Sequence, residues 1–278
     1  MRLGIRCHDL GHYSLNDLGK EVNKNGIKSI QLVMKKAITE FEVTKGCLTP
    51  GLARYIKETL SKHDVEVSIL GSYINMAHPD EKELNELLDW FKAHIRFARD
   101  LGCSIVGTET GAPNREYAYT PENHTEESFQ KFISSLKVIV EEAEKFGVIV
   151  GIEGVTKHII NTPERMKRVL DTVKSNNLQV IFDPINFIDE SNYDKQDDII
   201  KKSFELFGDR IVLVHAKDFI YDEGCIKQVS IGKGQFNYPL LLSIIKEKKP
   251  HIDVILEDTT PDDVLESVGY LKKAYDRI

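Results

Sequence analysis

Four residues with metal-binding side chains stand in the second half of this chain, each directly after a short apolar run. They are Glu153, Asp183, His215 and Glu257. Carboxylates that are packed together repel one another, and a divalent cation removes that repulsion. Three carboxylates and one imidazole suit Mn²⁺, Mg²⁺ or Co²⁺, and also accommodate Zn²⁺. The residue types therefore predict a site for one divalent metal ion, with Mn²⁺ favoured.

The spacing of these four residues indicates how a fold would bring them together. Consecutive members lie 30, 32 and 42 residues apart, and each interval is about one strand–helix unit. Glu109 follows an earlier apolar run in the same way. A single polar residue after a strand often only caps the next helix or meets solvent, but four in succession are hard to obtain by chance. We therefore expect consecutive parallel strands to present these side chains on one rim.

Short apolar runs rich in β-branched residues alternate with longer amphipathic stretches along the chain. Continuous apolar strands are typical of a parallel sheet that is covered on both faces. The predicted strands cover residues 3–7, 27–34, 65–70, 104–108, 148–152, 178–182, 211–214 and 254–256. Helices are predicted at about 14–25, 49–63, 81–101, 126–146, from 162 onward, 197–207, 239–247 and 261–275.

About eight strand–helix units favour a closed barrel over an open doubly wound sheet, which the pattern leaves as the alternative. We predict an α/β protein, a single (β/α)8 TIM barrel formed by one domain over residues 1–278. No linker, low-complexity tract or charge block marks a second domain. Active sites of such barrels lie at the carboxyl ends of the strands, where the residues named above would meet.

The composition limits the partners and the compartment of the protein. A formal net charge of −7 disfavours non-specific binding to nucleic acid or to an anionic membrane. No apolar run is long enough for a signal peptide or for a membrane span of about 18 residues. The four cysteines are widely spaced, unlike a disulfide framework or a zinc knuckle. We expect a cytoplasmic protein whose partner is a small molecule, without nucleic acid or membrane; homo-oligomer formation stays open.

The second half of the sequence resembles the xylose isomerase-like TIM-barrel superfamily, which contains sugar isomerases, epimerases and related dehydratases. The matching stretches are residues 150–154, 180–186, 212–218, 231–236 and 255–258, whereas the first half matches only in general rhythm. Each motif is weak singly, but the five in order are fairly specific. The resemblance implies that Glu153, Asp183, His215 and Glu257 bind one divalent metal ion.

The resemblance also implies a reaction. A metal ion would polarise the ketone of a sugar, a sugar phosphate or a similar polyol, and would stabilise the enediolate formed when the adjacent proton leaves. In the epimerases that this chain resembles, glutamates of the fifth and eighth strands move that proton. Carried over, these catalytic residues are Glu153 and Glu257. Return of the proton gives an epimer or an isomer, whereas loss of a β-hydroxyl gives dehydration.

Further polar residues near the strand ends are candidates for contacts with the substrate or the metal ligands. Family members often have a histidine three residues after the aspartate, where this chain has Asn186. Asp218 could orient a metal ligand through a hydrogen bond, with surface ion pairing as its alternative. Substrate contacts are predicted for Glu109, Asn186, Lys217, His158 and His8. The alternatives are a solvated loop residue for Glu109, surface ion pairing for Lys217 and a structural role for each of the two histidines.

Three other functions compete with a metal-dependent sugar isomerase or epimerase. The first is a dehydratase of an inosose- or dehydroshikimate-like ketone on the same scaffold. The second is an endonuclease IV-like DNA-repair enzyme, which is disfavoured because the chain lacks further histidines on the rim and a basic face. The third is a non-catalytic sugar-binding barrel, which need not keep two glutamates beside a metal ion.

Overall fold

Eight parallel strands close into a barrel in the computed structural model, which describes all 278 residues. The chain contains the strands β1 (Arg2–Arg6), β2 (Ser29–Leu32), β3 (Glu66–Gly71), β4 (Ile105–Glu109), β5 (Ile149–Glu153), β6 (Leu178–Phe182), β7 (Ile211–Ala216), β8 (Asp218–Asp222), β9 (Cys225–Val229) and β10 (Asp253–Leu256). Strands β1 to β7 and β10 form the barrel, which closes because β1 pairs with both β2 and β10. The predicted TIM barrel is confirmed, and the open sheet is excluded.

Helices cover the outside of the barrel and connect successive strands. They are α1 (Leu15–Lys24), α2 (Met34–Ala37), α3 (Pro50–Ser61), α4 (Glu81–Leu101), α5 (Glu126–Phe146), α6 (Pro163–Val173), α7 (Gln196–Phe207), α8 (Tyr238–Lys248) and α9 (Val264–Asp276). Six begin where a side-chain oxygen accepts a backbone N–H of the first turn, as helix N-termini require: these caps are Ser14, Thr49, Asp80, Thr125, Thr162 and Asn237. None of the helices is both long enough and apolar enough to cross a membrane.

The interior of the barrel explains the direction of the side chains at its mouth. A small buried cluster, distinct from the large core between strands and helices, consists of Ile69, Ile105, Ile181, Leu213 and Ile255. Successive side chains of a strand point to opposite faces of the sheet. Asp183, His215 and Glu257 each come two residues after a member of this cluster. They therefore continue the inward-facing rows at the carboxyl ends of the strands.

A β-hairpin lies between β7 and α8, in a stretch for which the sequence predicted neither a strand nor a helix. Strands β8 and β9 pair antiparallel, and the two residues between them, Glu223 and Gly224, have φ angles of 50° and 84°. Two consecutive left-handed residues are what a type I′ hairpin turn requires. The first turn position holds glutamate, which is uncommon there, in place of the asparagine or aspartate of the usual Asn-Gly or Asp-Gly signal. The second strand is also shorter than predicted, because Met34 begins the one-turn helix α2.

Candidate metal centre

The carboxyl ends of four neighbouring strands bring four metal-binding side chains together. Glu153 is the last residue of β5, Asp183 follows β6, His215 lies in β7, and Glu257 follows β10. All four are buried, and one potential ligand atom of each lies within 4.8 Å of those of the others. The structure thus gathers the four residues that the spacing predicted to meet.

The imidazole of His215 faces two carboxylates with one nitrogen and an amide with the other. Its Nδ1 lies 3.0 Å from Oε1 of Glu153 and 3.5 Å from Oε2 of Glu257. Its Nε2 lies 2.7 Å from Oε1 of Gln31, which can only accept a hydrogen bond. Gln31 therefore keeps a proton on Nε2 and leaves Nδ1 as the nitrogen that can coordinate a metal.

Two positively charged side chains contact the carboxylates of this centre. The Nζ atom of the buried Lys217 lies 3.0 Å from Oδ2 of Asp183 and 2.9 Å from Oε2 of Glu257. The guanidinium of Arg6 lies 3.3 Å from Oε1 of Glu257, and it also pairs with Asp258. Glu257 is thus the carboxylate with the most cationic neighbours.

These contacts shift the pKa values of Glu153 and Glu257 in opposite directions. Burial raises the pKa of Glu153, and the positive charge of His215 offsets this only in part. Burial would also raise the pKa of Glu257, but His215, Lys217 and Arg6 outweigh it and hold that pKa well below its usual range. For His215, burial is outweighed by the charges of Glu153 and Glu257, which raise its pKa to about 9. The centre therefore contains carboxyl groups of very different acidity side by side.

The donor set fits a divalent metal ion. The Oδ2 atom of Asp183 is buried and has no hydrogen-bond partner, although the Lys217 ammonium is close to it. Burial also raises the pKa of Asp183, since no cation fully compensates its charge. Buried carboxylates that share one ammonium, as Asp183 and Glu257 share Lys217, are costly inside a protein unless a further cation binds them. With the oxygens of Glu153 and Glu257 and the Nδ1 of His215, the buried cluster could bind a metal ion.

Asn186 contacts the centre itself. Its Nδ2 donates to Oε1 of Glu153 at 2.6 Å, and its Oδ1 accepts from Nζ of Lys217 at 3.2 Å. The side chain thus links a predicted metal ligand to the lysine that stands among the carboxylates. A contact between Asn186 or Lys217 and a substrate stays a prediction.

Glu109 stands beside Glu153 in the register of β4 and β5. Its Oε2 accepts a hydrogen bond from the Tyr117 hydroxyl at 3.2 Å and lies 3.7 Å from Nδ1 of His158. The rings of Tyr117 and His158 meet edge to face, with centroids 5.1 Å apart. Burial raises the pKa of Glu109. The predicted substrate contacts Glu109 and His158 therefore form one polar group at the mouth of the barrel.

Asp218 holds a loop together. Its Oδ1 accepts from the backbone N–H groups of Phe219 and Phe236, at 2.9 and 3.1 Å. Its Oδ2 accepts from those of Gly232 and Gly234, at 2.9 and 3.1 Å. The expected hydrogen bond between Asp218 and a metal ligand is not among these contacts, because both oxygens of Asp218 accept from backbone N–H groups.

Three residues at the centre were missed by the sequence reasoning: Arg6, Gln31 and Tyr73. Gln31 donates to Oε1 of Glu257 at 3.3 Å and to the Tyr73 hydroxyl at 2.7 Å. A signal did exist, since Arg6 and Gln31 are polar residues inside apolar runs. A buried amide or guanidinium needs a polar partner, and the mouth of the barrel, where the predicted metal ligands meet, supplies such partners.

A cavity of about 850 Å³ opens beside this centre. Glu257, Lys217 and Arg6 form part of its wall, and Glu109 and Tyr117 line it as well. The predicted substrate contact His8 also lines the cavity. Small-molecule sites are commonly concave and about 300–1,000 Å³ in volume, so the cavity can hold a small molecule in reach of the four-residue cluster.

The fold agrees with what a comparison with known families shows. A family model described as "xylose isomerase-like TIM barrel" matches residues 20–274. The chain therefore belongs to the xylose isomerase-like TIM-barrel family, as the resemblance of its second half implied.

Individual relatives are distant. An uncharacterized protein of Methanocaldococcus jannaschii is 26% identical over 235 residues, which are 81% of this chain and 75% of that protein. The structure of a D-tagatose 3-epimerase-like protein matches with a TM-score of 0.76 at 22% identity, covering 100% of this chain and 98% of the other. The IOLI protein, solved with a bound zinc atom, matches with a TM-score of 0.74 at 20% identity, covering 100% and 99%. At such identities the two structures establish a shared fold only.

Proposed function

We propose that this protein is a divalent-metal-dependent isomerase or epimerase of a sugar, a sugar phosphate or a related ketose. One observation carries the proposal: Glu153 and Glu257 stand with Asp183 and His215 in one buried four-residue cluster, and their surroundings differ, since Lys217 and Arg6 both contact Glu257. Two carboxyl groups whose surroundings separate their pKa values are suited to act as acid and base on the same substrate. The epimerase-like structural relative is consistent with this chemistry.

The surroundings of each glutamate suggest its part in proton transfer. Glu257 is kept ionised by Lys217 and Arg6, and an ionised carboxylate can accept the proton from the carbon next to a ketone. Glu153 holds a proton more readily because burial raises its pKa, and the amide of Asn186 fixes the position of its Oε1. Return of a proton to the other face gives an epimer, and return to the neighbouring carbon gives an isomer. The ammonium of Lys217 lines the cavity and would donate to a substrate oxygen by giving up one of its three present acceptors, on Asp183, Glu257 and Asn186.

The metal ion would be held by the two glutamates together with Asp183 and His215. When bound, it supplies Lewis-acid polarisation of the ketone, which makes the adjacent C–H more acidic. We favour Mn²⁺, because three of the four side chains are hard carboxylate ligands, with Mg²⁺, Co²⁺ and Zn²⁺ as the alternatives.

Metal analysis followed by product analysis tests this function. The purified protein is assayed for bound metal, stripped with a chelator, refilled with Mn²⁺ or Co²⁺, and incubated with a panel of ketoses in D2O. We expect isomers of the substrate that carry one deuterium bound to carbon, because the transferred proton passes through a carboxyl group that exchanges with the solvent. Loss of water with new ultraviolet absorbance would identify a dehydratase instead. A protein that purifies without metal, and whose Tm does not change when metal is added, would contradict the proposal.

A matched pair of variants separates catalysis from binding. Glu153→Gln removes the charge and the acid–base function, and we expect turnover to fall by about 10²–10⁴-fold. Glu127→Gln makes the same change at an exposed position of α5 and should leave turnover unchanged. A sugar-binding protein without catalysis would show no turnover in the wild type and would tolerate Glu153→Gln in a binding assay.

A further inference from the structure

The first and last strands of the barrel pair at a seam that ends beside the metal centre. Backbone pairing between β1 and β10 extends as far as Ile5 and Leu256. The next residue along the chain is Arg6 on one side of the seam and Glu257 on the other. Beyond the last backbone pair, the position of Glu257 relative to β1 depends on contacts between side chains.

The guanidinium of Arg6 lies among three carboxylates at this end of the seam. Its Nε and Nη2 lie 2.9 and 2.8 Å from Oδ1 of Asp9, and its Nη1 lies 3.3 Å from Oε1 of Glu257. Its Nη2 also contacts Oδ1 of Asp258. Because a guanidinium presents five N–H donors in a rigid plane, it can hold several acceptors at fixed angles. Arg6 therefore fixes the Glu257 carboxylate relative to Asp9.

Asp9 connects this network to the main chain on the other side of the seam. It is the last residue of a 3₁₀ turn, Cys7–Asp9, and its side chain is only 9% exposed. While its Oδ1 accepts from Arg6, its Oδ2 accepts from the backbone N–H of Asp258 at 2.8 Å. Asp258 directly follows Glu257. Asp9 thus holds both the side chain that contacts Glu257 and the backbone that follows it.

The backbone of Asp258 has a conformation that needs such support. Its φ angle is 53°, in the left-handed region that residues other than glycine seldom adopt, although aspartate tolerates it better than most. Strained backbone of this kind persists where the surrounding contacts fix it, and it is common at active sites. The direction in which the chain leaves Glu257 is therefore set by the contacts of Asp258 with Asp9 and Arg6.

We propose that Asp9 is a positioning residue of the metal centre, an inference that rests on the proposed function. Through Arg6 and the backbone N–H of Asp258, it holds the Glu257 carboxylate where metal binding and proton transfer require it. Asp9 is not among the residues that line the cavity, so it acts without touching the substrate. Its two oxygens accept from different donors. An amide cannot replace the carboxylate, because in either orientation its NH₂ group would face one of those donors.

Asp9→Asn tests this role with almost no change in volume. The metal-free full-length protein is titrated with Mn²⁺ in competition with a chromophoric chelator, and we expect its affinity to fall about tenfold or more. At saturating Mn²⁺, kcat for the ketose that the wild type converts should fall by a similar factor. KM should change much less, because the wall of the cavity stays the same. If Asp9→Asn does not fold, Asp9→Ala carries the same expectation, since it places no donor against the two N–H groups.

Arg6→Lys shows whether Asp9 acts through the guanidinium. Lysine keeps the charge but cannot contact three carboxylates at fixed angles. We expect it to weaken Mn²⁺ binding about as much as Asp9→Asn does. The double variant should lose clearly less affinity than the product of the two single losses, because both changes break the same link. Asp100→Asn, at an exposed position near the end of α4, is the matched control and should leave the Kd for Mn²⁺ unchanged.

The outcomes separate this role from the proposed function. An unchanged Kd for Mn²⁺ in Asp9→Asn, even with a lower Tm, would mean that Asp9 only supports the fold. A loss in the double variant equal to the product of the single losses would also overturn the role of Asp9. In both cases the proposed function would stand, provided that the wild type binds Mn²⁺ and converts a ketose. A wild-type protein that binds neither Mn²⁺ nor Co²⁺ would refute the proposed function together with this inference.

Discussion

His215 and Gln31 meet at the mouth of the barrel, where Nε2 of the imidazole lies 2.7 Å from Oε1 of the amide. The two residues are 184 positions apart in sequence and belong to β7 and β2, which are not neighbours in the barrel. Through its Nε2, Gln31 also donates to Oε1 of Glu257 at 3.3 Å. One amide thus orients two of the four predicted metal ligands.

Gln31→Met should weaken metal binding without unfolding the barrel. The substitution keeps the volume of the side chain but removes the acceptor that holds the proton on Nε2 of His215. Loss of such a supporting contact typically costs about 10- to 100-fold in metal affinity. The measurement is competition for Mn²⁺ or Zn²⁺ against a chromophoric chelator, with Tm as the check of folding. Gln130→Met, on the exposed face of α5, is the control. Unchanged affinity in Gln31→Met would show that His215 does not depend on this amide.

Asp218→Ala should destabilise the fold. The change removes the acceptor of four backbone N–H groups, from Phe219, Gly232, Gly234 and Phe236. Hydrogen bonds to a charged group contribute about 1.5–3 kcal/mol each, and part of this is recovered from water, so we expect the free energy of unfolding to fall by about 2–4 kcal/mol. Urea denaturation measures it.

Two companion variants make the interpretation of Asp218→Ala specific. Asp218→Asn keeps one acceptor oxygen and should lose less stability than the alanine variant. Asp222→Ala, at an exposed position of the same hairpin, removes only a surface ion pair with Lys227 and should cost at most about 1 kcal/mol. Equal losses in Asp218→Ala and Asp222→Ala would contradict the role assigned to Asp218.

His94 should make the protein less stable in mild acid. Burial lowers the pKa of this histidine to about 4, whereas a histidine of the unfolded chain titrates near 6.5. Between these two values the unfolded state binds the proton and the folded state does not, so the free energy of unfolding decreases as pH falls through this window. From pH 7.5 to pH 5 the contribution of His94 is about 2 kcal/mol.

The variant His94→Phe isolates this contribution. It removes the titrating group, so the loss of stability between pH 7.5 and pH 5, measured by urea denaturation at both values, should shrink by about 2 kcal/mol relative to wild type. His251→Gln removes an exposed histidine and should leave the difference as it is. The same pH dependence in wild type and His94→Phe would mean that His94 does titrate normally in the folded protein.

Much of the fold could be predicted because its signals are local. The strand that ends at Phe182 has the predicted bounds, and the helices Glu81–Leu101 and Glu126–Phe146 also match. Each of those helices starts at a side-chain cap and ends at a left-handed glycine, Gly102 or Gly147. The hairpin β8–β9 was not predicted, because its turn lacks the common residue pair and β9 is largely exposed.

The sequence by itself determined the barrel and the meeting of Glu153, Asp183, His215 and Glu257. The carboxyl ends of parallel strands share one rim of the barrel. Because side chains alternate along a strand with a period of two, a residue two positions after an interior residue also points inward. Only the tertiary structure decided that Gln31 orients His215, that Lys217 stands among the carboxylates, and that Asp218 binds a loop instead of a ligand. These contacts join distant segments across the barrel mouth. Their partners depend on barrel closure and loop conformation, which no periodicity in the chain encodes.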